Sequence, residues 1–162
     1  MQALQQVKAA KNRFVERKYL AILNEPLVSS GTLSYVAPDR IEKNTEQPKR
    51  ENLKVERGTL TMENDQGQRR SLVLQDYPEI WAFVESIRGT LAGDLAGLTR
   101  FYDVSLDGTP EAWQLFLQPK DAKVREMVSS IRIVGKGNML RSVETRETDG
   151  DRTVMTVLPD AA

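Results

Sequence analysis

From Thr32 to Leu158 the sequence runs in short segments in which apolar and polar residues alternate, with turn-forming residues between the segments. Successive side chains of a β-strand point to opposite faces, so this alternation predicts strands that each have one apolar face. The connections are too short for the crossover that parallel neighbours need, and the strands must therefore pair antiparallel. We predict one curved antiparallel sheet of about ten strands, in a single α+β domain over residues 1–162.

The segment Pro78–Leu98 interrupts this alternation, because its apolar residues recur at helical spacing. Asp76 and Glu79 have the spacing of a capping box, and Pro78 suits the first turn of a helix. The segment predicts a helical lid over the apolar face of the sheet. Its lid residues are Ile80, Trp81, Val84, Ile87 and Leu91.

Three glycines, Gly89, Gly93 and Gly97, lie around the end of this helical segment. Glycine permits a hinge, although it also serves as an ordinary helix C-cap. We therefore expect a lid that moves, and we expect Asp94 to cap a further short helical turn through Leu98.

Residues 2–23 show apolar positions near the helical period, beginning at Leu4 and Val7 and continuing through Phe14. This spacing predicts an amphipathic N-terminal helix, which ends before Pro26. Its basic residues, against one acidic residue (Glu16), are Lys8, Lys11, Arg13, Arg17 and Lys18. They indicate either a solvated face or a surface for an anionic membrane or partner.

The chain contains neither histidine nor cysteine. This composition removes imidazole-based catalytic triads and the thiolate or imidazole ligands that most transition-metal sites use. The 23 basic and 23 acidic residues balance, so no overall field attracts nucleic acid. Asp149 and Asp151 are typical of a turn and lack the glutamate spacing of a calcium loop. We expect no catalytic residue, no metal, no cofactor and no nucleic-acid partner.

The apolar face of such a sheet is larger than two helices can seal, and covered curved sheets of this kind form apolar pockets. We therefore expect a binding protein rather than an enzyme, and one whose ligand is apolar. The candidate lipid-binding residues on the sheet are Leu33, Tyr35, Leu53, Val55, Leu60, Met62, Leu72, Leu74, Trp113, Leu115 and Leu117.

Several residues recur in an order that is found in a known family. They are Phe14 and Tyr19, Ser30-Gly31-Thr32-Leu33, Pro38, Leu91-Ala92-Gly93-Asp94, the Trp113-x-Leu115-x-Leu117-x-Pro119 strand, and Asp149-Gly150-Asp151. In this order and at these intervals, residues 10–158 resemble the periplasmic outer-membrane lipoprotein carrier proteins of the Lol pathway, the LolA-like family.

The resemblance implies an unclosed β-barrel with a helical lid, whose hollow takes the acyl chains of a lipoprotein across the periplasm. It also implies an inner-membrane release complex and an outer-membrane acceptor as partners of a monomeric carrier. Family members usually carry a basic residue immediately before the proline that matches Pro38, where it helps to hold the lid shut. This sequence has Ala37 there, with Arg40 two residues beyond the proline.

Two alternatives stay open at this stage. One is a divergent relative that carries an envelope lipid other than a lipoprotein, and the other is a non-transport interaction module with a solid core. The first residues show no charged and apolar regions of a signal peptide. From the residues alone, both a cytosolic protein and an exported protein without its signal fit, whereas the resemblance implies the periplasm.

Overall fold

The structure is a computed structural model that describes residues 2–158. Within these residues, one antiparallel sheet contains all the strands. They are β1 (Ala9–Tyr19), β2 (Leu27–Val36), β3 (Arg40–Gln47), β4 (Glu51–Glu56), β5 (Thr59–Glu63), β6 (Arg69–Val73), β7 (Tyr102–Thr109), β8 (Ala112–Pro119), β9 (Val128–Lys136), β10 (Met139–Glu147) and β11 (Arg152–Val157). The strand order is β6-β5-β4-β3-β2-β1-β11-β10-β9-β8-β7. The first and last strands are therefore neighbours at the centre, and β6 and β7 are the two open edges.

The helices lie in the connections. They are α1 (Gln2–Gln5), α2 (Pro78–Ala92), α3 (Leu95–Phe101) and α4 (Ala122–Arg125), and a 3-10 turn (Leu74–Asp76) precedes α2. Helices α2 and α3 connect the edge strand β6 to the edge strand β7, and side chains of α2 lie against the inner face of the sheet. This unclosed half-barrel with its inserted helix confirms the predicted fold class. In the described part of the chain, no helix is long and apolar enough to cross a membrane.

The predicted N-terminal helix over residues 2–23 is wrong beyond Gln5. Residues Ala9–Tyr19 form strand β1, in which Phe14 pairs with Gly31 of β2 and with Val157 of β11. Phe14 is fully buried on the inner face, but Glu16 and Lys18 follow it on that same face. These two charges break the apolar alternation that a strand would show, and the remaining apolar residues happen to match a helical spacing.

Two local predictions about α2 and α3 had different outcomes. The predicted capping box is wrong, because Asp76 belongs to the 3-10 turn and Tyr77 occupies the N-cap without a side-chain hydrogen bond. Pro78 does lie in the first turn of α2. The predicted cap at Asp94 is confirmed, since its Oδ1 accepts a hydrogen bond from the Gly97 N–H at 2.9 Å.

The half of the sheet near β8 and β9 is densely packed. Leu115, Leu117, Ile131 and Ile133 have no exposed surface. Nearby, the Tyr102 hydroxyl donates a hydrogen bond to the Ala82 carbonyl of α2 at 2.5 Å, and burial raises the pKa of this tyrosine. The Tyr102 hydrogen bond therefore anchors α2 to β7, at the edge of this half of the sheet.

Candidate functional site

A cavity of about 450 Å³ lies between α2 and the half of the sheet that contains β3 to β5. This volume falls within the roughly 300–1,000 Å³ of typical small-molecule sites. The apolar lining from the sheet consists of Leu33, Ile41, Leu53, Val55, Leu60, Met62, Val143 and Met155. Because strands from both sides of the sheet centre line one cavity, the sheet curves around it.

Helix α2 supplies the opposite wall through Ile80, Phe83, Val84 and Ile87. Phe83 and Val84 follow Ile80 by three and four positions, and Ile87 follows them by four and three, so the four residues share one helical face. The cavity thus brings together the predicted residues Leu33, Leu53, Val55, Leu60, Met62, Ile80, Val84 and Ile87. Their part in lipid binding stays a prediction, but they form one continuous apolar surface.

The other predicted residues lie elsewhere. Tyr35 and Leu91 line a separate cavity of about 260 Å³ beneath α1, and Leu33 contributes to both cavities. Trp81 is packed edge-on against Phe101, with ring centroids 5.3 Å apart. Leu72, Leu74, Leu115 and Leu117 are buried without lining either cavity, and Leu74 lies in the 3-10 turn rather than in a strand.

Trp113 has a structural role in the strand pair β8–β9. Its Nε1 donates a hydrogen bond to the Gly137 carbonyl at 2.9 Å. Its ring lies so close to Gly135 that a Cβ there would be 2.0 Å from the ring. The glycine is therefore required for the indole to fit against the sheet. Trp113 does not line the cavity under α2, but it lines a separate space of about 450 Å³ together with Leu106 and Pro110.

The three glycines near the end of α2 each have a static structural explanation. Gly93 has φ 68° and is the left-handed C-cap of α2, with its N–H bonded to the carbonyls of Gly89 and Thr90. A Cβ at Gly89 would lie 2.8 Å from Leu98, and one at Gly97 would lie 2.5 Å from Asp94. Capping and close helix packing account for these positions without a hinge, so lid movement stays a prediction.

An ionic cluster at the C-terminal half of α2 ties the helix to its surroundings. Arg88 binds Glu85 through Nε and Nη2, and its Nη2 is 2.8 Å from Asp94 Oδ2. Its Nη1 also lies 3.5 Å from the carbonyl oxygen of Pro38 in the β2–β3 turn. Hydrogen bonds from Arg88 and the Gly97 N–H hold the pKa of Asp94 below its ordinary value, and Glu85 raises that of Arg88.

The polar side of the cavity, which sequence reasoning missed, is formed by Glu16, Lys18, Lys43, Thr145, Glu147 and Thr153. Lys43 Nζ lies 2.8 Å from Glu16 Oε2 and 5.2 Å from the centroid of the Phe14 ring. The alternation of Ile41, Lys43 and Thr45 on β3 was a signal for an inward-facing lysine. On β1 the incorrect helix assignment hid the inward direction of Glu16 and Lys18.

Three carboxylates at the β10–β11 turn approach one another, with oxygen atoms of Glu147, Asp149 and Asp151 within 4.8 Å. Asp149 Oδ1 accepts a hydrogen bond from the Asp151 N–H, and Asp151 Oδ1 accepts one from the Ala21 N–H. These bonds stabilise the turn and support the turn interpretation of Asp149 and Asp151.

The family model described as "Outer membrane lipoprotein carrier protein LolA-like" matches residues 1–162, the full length of the chain. The chain belongs to the LolA-like family. LolA-like proteins are a periplasmic family associated with binding and carrying lipids or proteins, and their fold is not typically enzymatic. The predicted family is thereby confirmed. No curated protein sequence matches the chain.

Solved structures similar to this LolA-like chain are distant in sequence. A DUF1329 family protein from Desulfovibrio piger is 11% identical with a TM-score of 0.48, and the match covers 97% of this chain and 86% of that one. A LolA superfamily protein from Nitrosomonas europaea is 10% identical with a TM-score of 0.44, covering 99% and 94%. The structure of MucB in complex with MucA(peri) gives 14% identity and a TM-score of 0.44, covering 99% and 54%.

Proposed function

We propose that this protein is a periplasmic carrier that encloses the acyl chains of lipoproteins or other envelope lipids during transfer toward the outer membrane. The observation that supports it is the 450 Å³ cavity under α2, whose apolar side is formed by side chains of α2 and of the sheet, most of these from β3 to β5. It acts by binding and release, without chemical turnover. Membership of the LolA-like family supports the same proposal.

The physical reason for such a carrier is the cost of exposing hydrocarbon to water. Each CH₂ group contributes about 0.8 kcal/mol when it is buried, so a chain of ~16 carbons does not cross water uncovered. Leu53, Val55, Leu60 and Met62 offer apolar contacts along neighbouring strands, and Val84 covers them from the helix. An interaction module with a fully packed core would not contain a cavity of this kind.

The lid is the element through which cargo enters and leaves in this proposal. Helix α2 forms one wall of the cavity, and its link to the β2–β3 turn runs through Arg88 and Pro38. Release from an inner-membrane complex and delivery to an outer-membrane acceptor would each require this wall to move. The carrier acts as a monomer in this account.

Competition for an apolar fluorescent dye tests the proposal. A peptide with a long N-terminal acyl chain should displace the dye, and the same peptide without the acyl chain should not. Equal displacement by both peptides, or by neither, would contradict acyl-chain binding.

A further inference from the structure

The polar side of the cavity contains a row of hydrogen-bond donors across three adjacent strands. Lys18 of β1 pairs in register with Thr153 of β11, and Thr153 pairs with Thr145 of β10. All three side chains line the cavity. An acyl chain has no hydrogen-bond acceptor for these groups, so the row indicates that the cargo also has a polar part.

Of the two lysines that line the cavity, only Lys18 is available to bind an anionic group of the cargo. Lys43 is paired with Glu16 at 2.8 Å, and both side chains are about three-quarters buried, with 24% and 23% of their surface exposed. Their charges cancel locally. Among residues 2–158, Lys18 makes no ion pair or side-chain hydrogen bond, and the hydroxyls of Thr145 and Thr153 have no protein partner.

The row has the donor chemistry that a phosphate group needs. An ammonium group carries three N–H donors, each hydroxyl adds one O–H donor, and charged donors bind phosphate oxygens strongly. A negative group is also present, because Glu147 lines the same polar side two residues beyond Thr145 on β10. No ion pair engages Glu147 within the described residues. A cationic and an anionic side chain thus face one cavity without partners.

We propose that the polar side binds the zwitterionic head group of a phospholipid. Its phosphate would be bound by Lys18 with Thr145 and Thr153, and its ammonium group by Glu147, while the acyl chain lies along the apolar wall. This inference rests on the proposed function and narrows the cargo, because a lipoprotein's acylated N-terminus carries no phosphate.

Three lipids with the same single acyl chain test the inference: lysophosphatidylethanolamine, lysophosphatidylglycerol and monoacylglycerol, each used below its micelle concentration. The wild-type protein should bind the ethanolamine lipid best and the monoacylglycerol worst, with a difference of about 10-fold or more. Lys18→Met should reduce both phospholipids to the affinity of monoacylglycerol and leave monoacylglycerol unchanged. Lys18→Arg should retain the preference for phosphate.

Two further variants complete the experiment. Glu147→Gln should remove the preference for ethanolamine over glycerol while the preference for phosphate persists. Lys11→Met is the matched control, because Lys11 is an exposed lysine on the same strand but lies outside the cavity. Equal affinity of the wild-type protein for all three lipids, or an undiminished preference in Lys18→Met, would overturn the head-group inference alone. Failure to bind any of the three would instead contradict the proposed carrier function.

Discussion

The Nη1 atom of Arg88 lies 3.5 Å from the carbonyl oxygen of Pro38, and this contact joins α2 to the turn between β2 and β3. Ala37 stands immediately before that proline, at the position where the resemblance to LolA-like proteins implies a basic residue. In this protein a basic residue approaches the same turn from the helix instead. The guanidinium is also held by Glu85 and Asp94, so one side chain links α2, α3 and the sheet.

Replacement of Arg88 should therefore destabilise the protein. Arg88→Met leaves Glu85 mostly buried without its cation, and we expect a loss of about 1–3 kcal/mol in the free energy of unfolding. Urea unfolding measures this loss. The double variant Arg88→Met/Glu85→Met should lose less than the single variant, because apolar replacement of both partners leaves no buried charge. A double variant that loses the sum of both single changes would show that the pair is not coupled.

The stability contributed by Asp94 should depend on pH. Its pKa in the folded protein is lowered from the ordinary value of 3.8, mainly by the hydrogen bond from Arg88. A lowered pKa means that the stabilisation is present above pH 3.8 and disappears as pH falls through the folded value. Urea unfolding of wild type and Asp94→Asn across the acid range should show a difference that shrinks toward low pH. A difference that stays constant would contradict this assignment.

A charge in the cavity wall should abolish acyl binding. Leu53 and Lys54 are consecutive residues of β4, and Leu53 lines the cavity whereas Lys54 lies on the opposite face. Leu53→Glu should weaken binding of an acylated peptide by about 10-fold or more, because an unpaired charge on an apolar surface is costly. Lys54→Glu should bind nearly as well as wild type. Dye displacement, with thermal unfolding as a check on folding, distinguishes the two; similar behaviour of both variants would contradict the assigned wall.

Gly89 should resist substitution although it lies inside a helix. Alanine has a helix propensity that is better by about 1 kcal/mol, yet its Cβ would meet Leu98 at 2.8 Å. We expect Gly89→Ala to lower the free energy of unfolding by about 1–3 kcal/mol, as overpacked cores do. Stabilisation by the alanine would show that α2 and α3 do not pack closely at this point.

The sequence predicted the sheet well because alternation is a local signal. It identified Leu33, Leu53 and Val55 as inward-facing residues, and these three do share a cavity. The same alternation marked Leu115 and Leu117, which lie in the packed half of the sheet. Only the curvature of the sheet and the position of α2 decide which half encloses open space, and neither is a local property of a strand.

The sequence of α2 likewise did not predict which of its residues line the cavity. Trp81 and Phe83 both widen the apolar stripe of α2, but Trp81 contacts Phe101 of α3 and Phe83 lines the cavity. Because α2 packs on α3 as well as on the sheet, more than one of its faces is apolar. The order of residues in the helix does not indicate which face meets which neighbour.

The central claim, that an acyl chain occupies the space under α2, is tested most directly by quenching at Phe83. Phe83→Trp places an indole in the cavity wall, whereas Trp81 and Trp113 lie against Phe101 and Gly135, and the same titration of the wild-type protein measures their contribution to the emission. A peptide with a brominated acyl chain should quench the added emission, and the same peptide with an unbrominated chain should not. Displacement of the dye shows independently that the brominated peptide is bound. If the peptide is bound and the emission of the added indole is not quenched, the claim is contradicted.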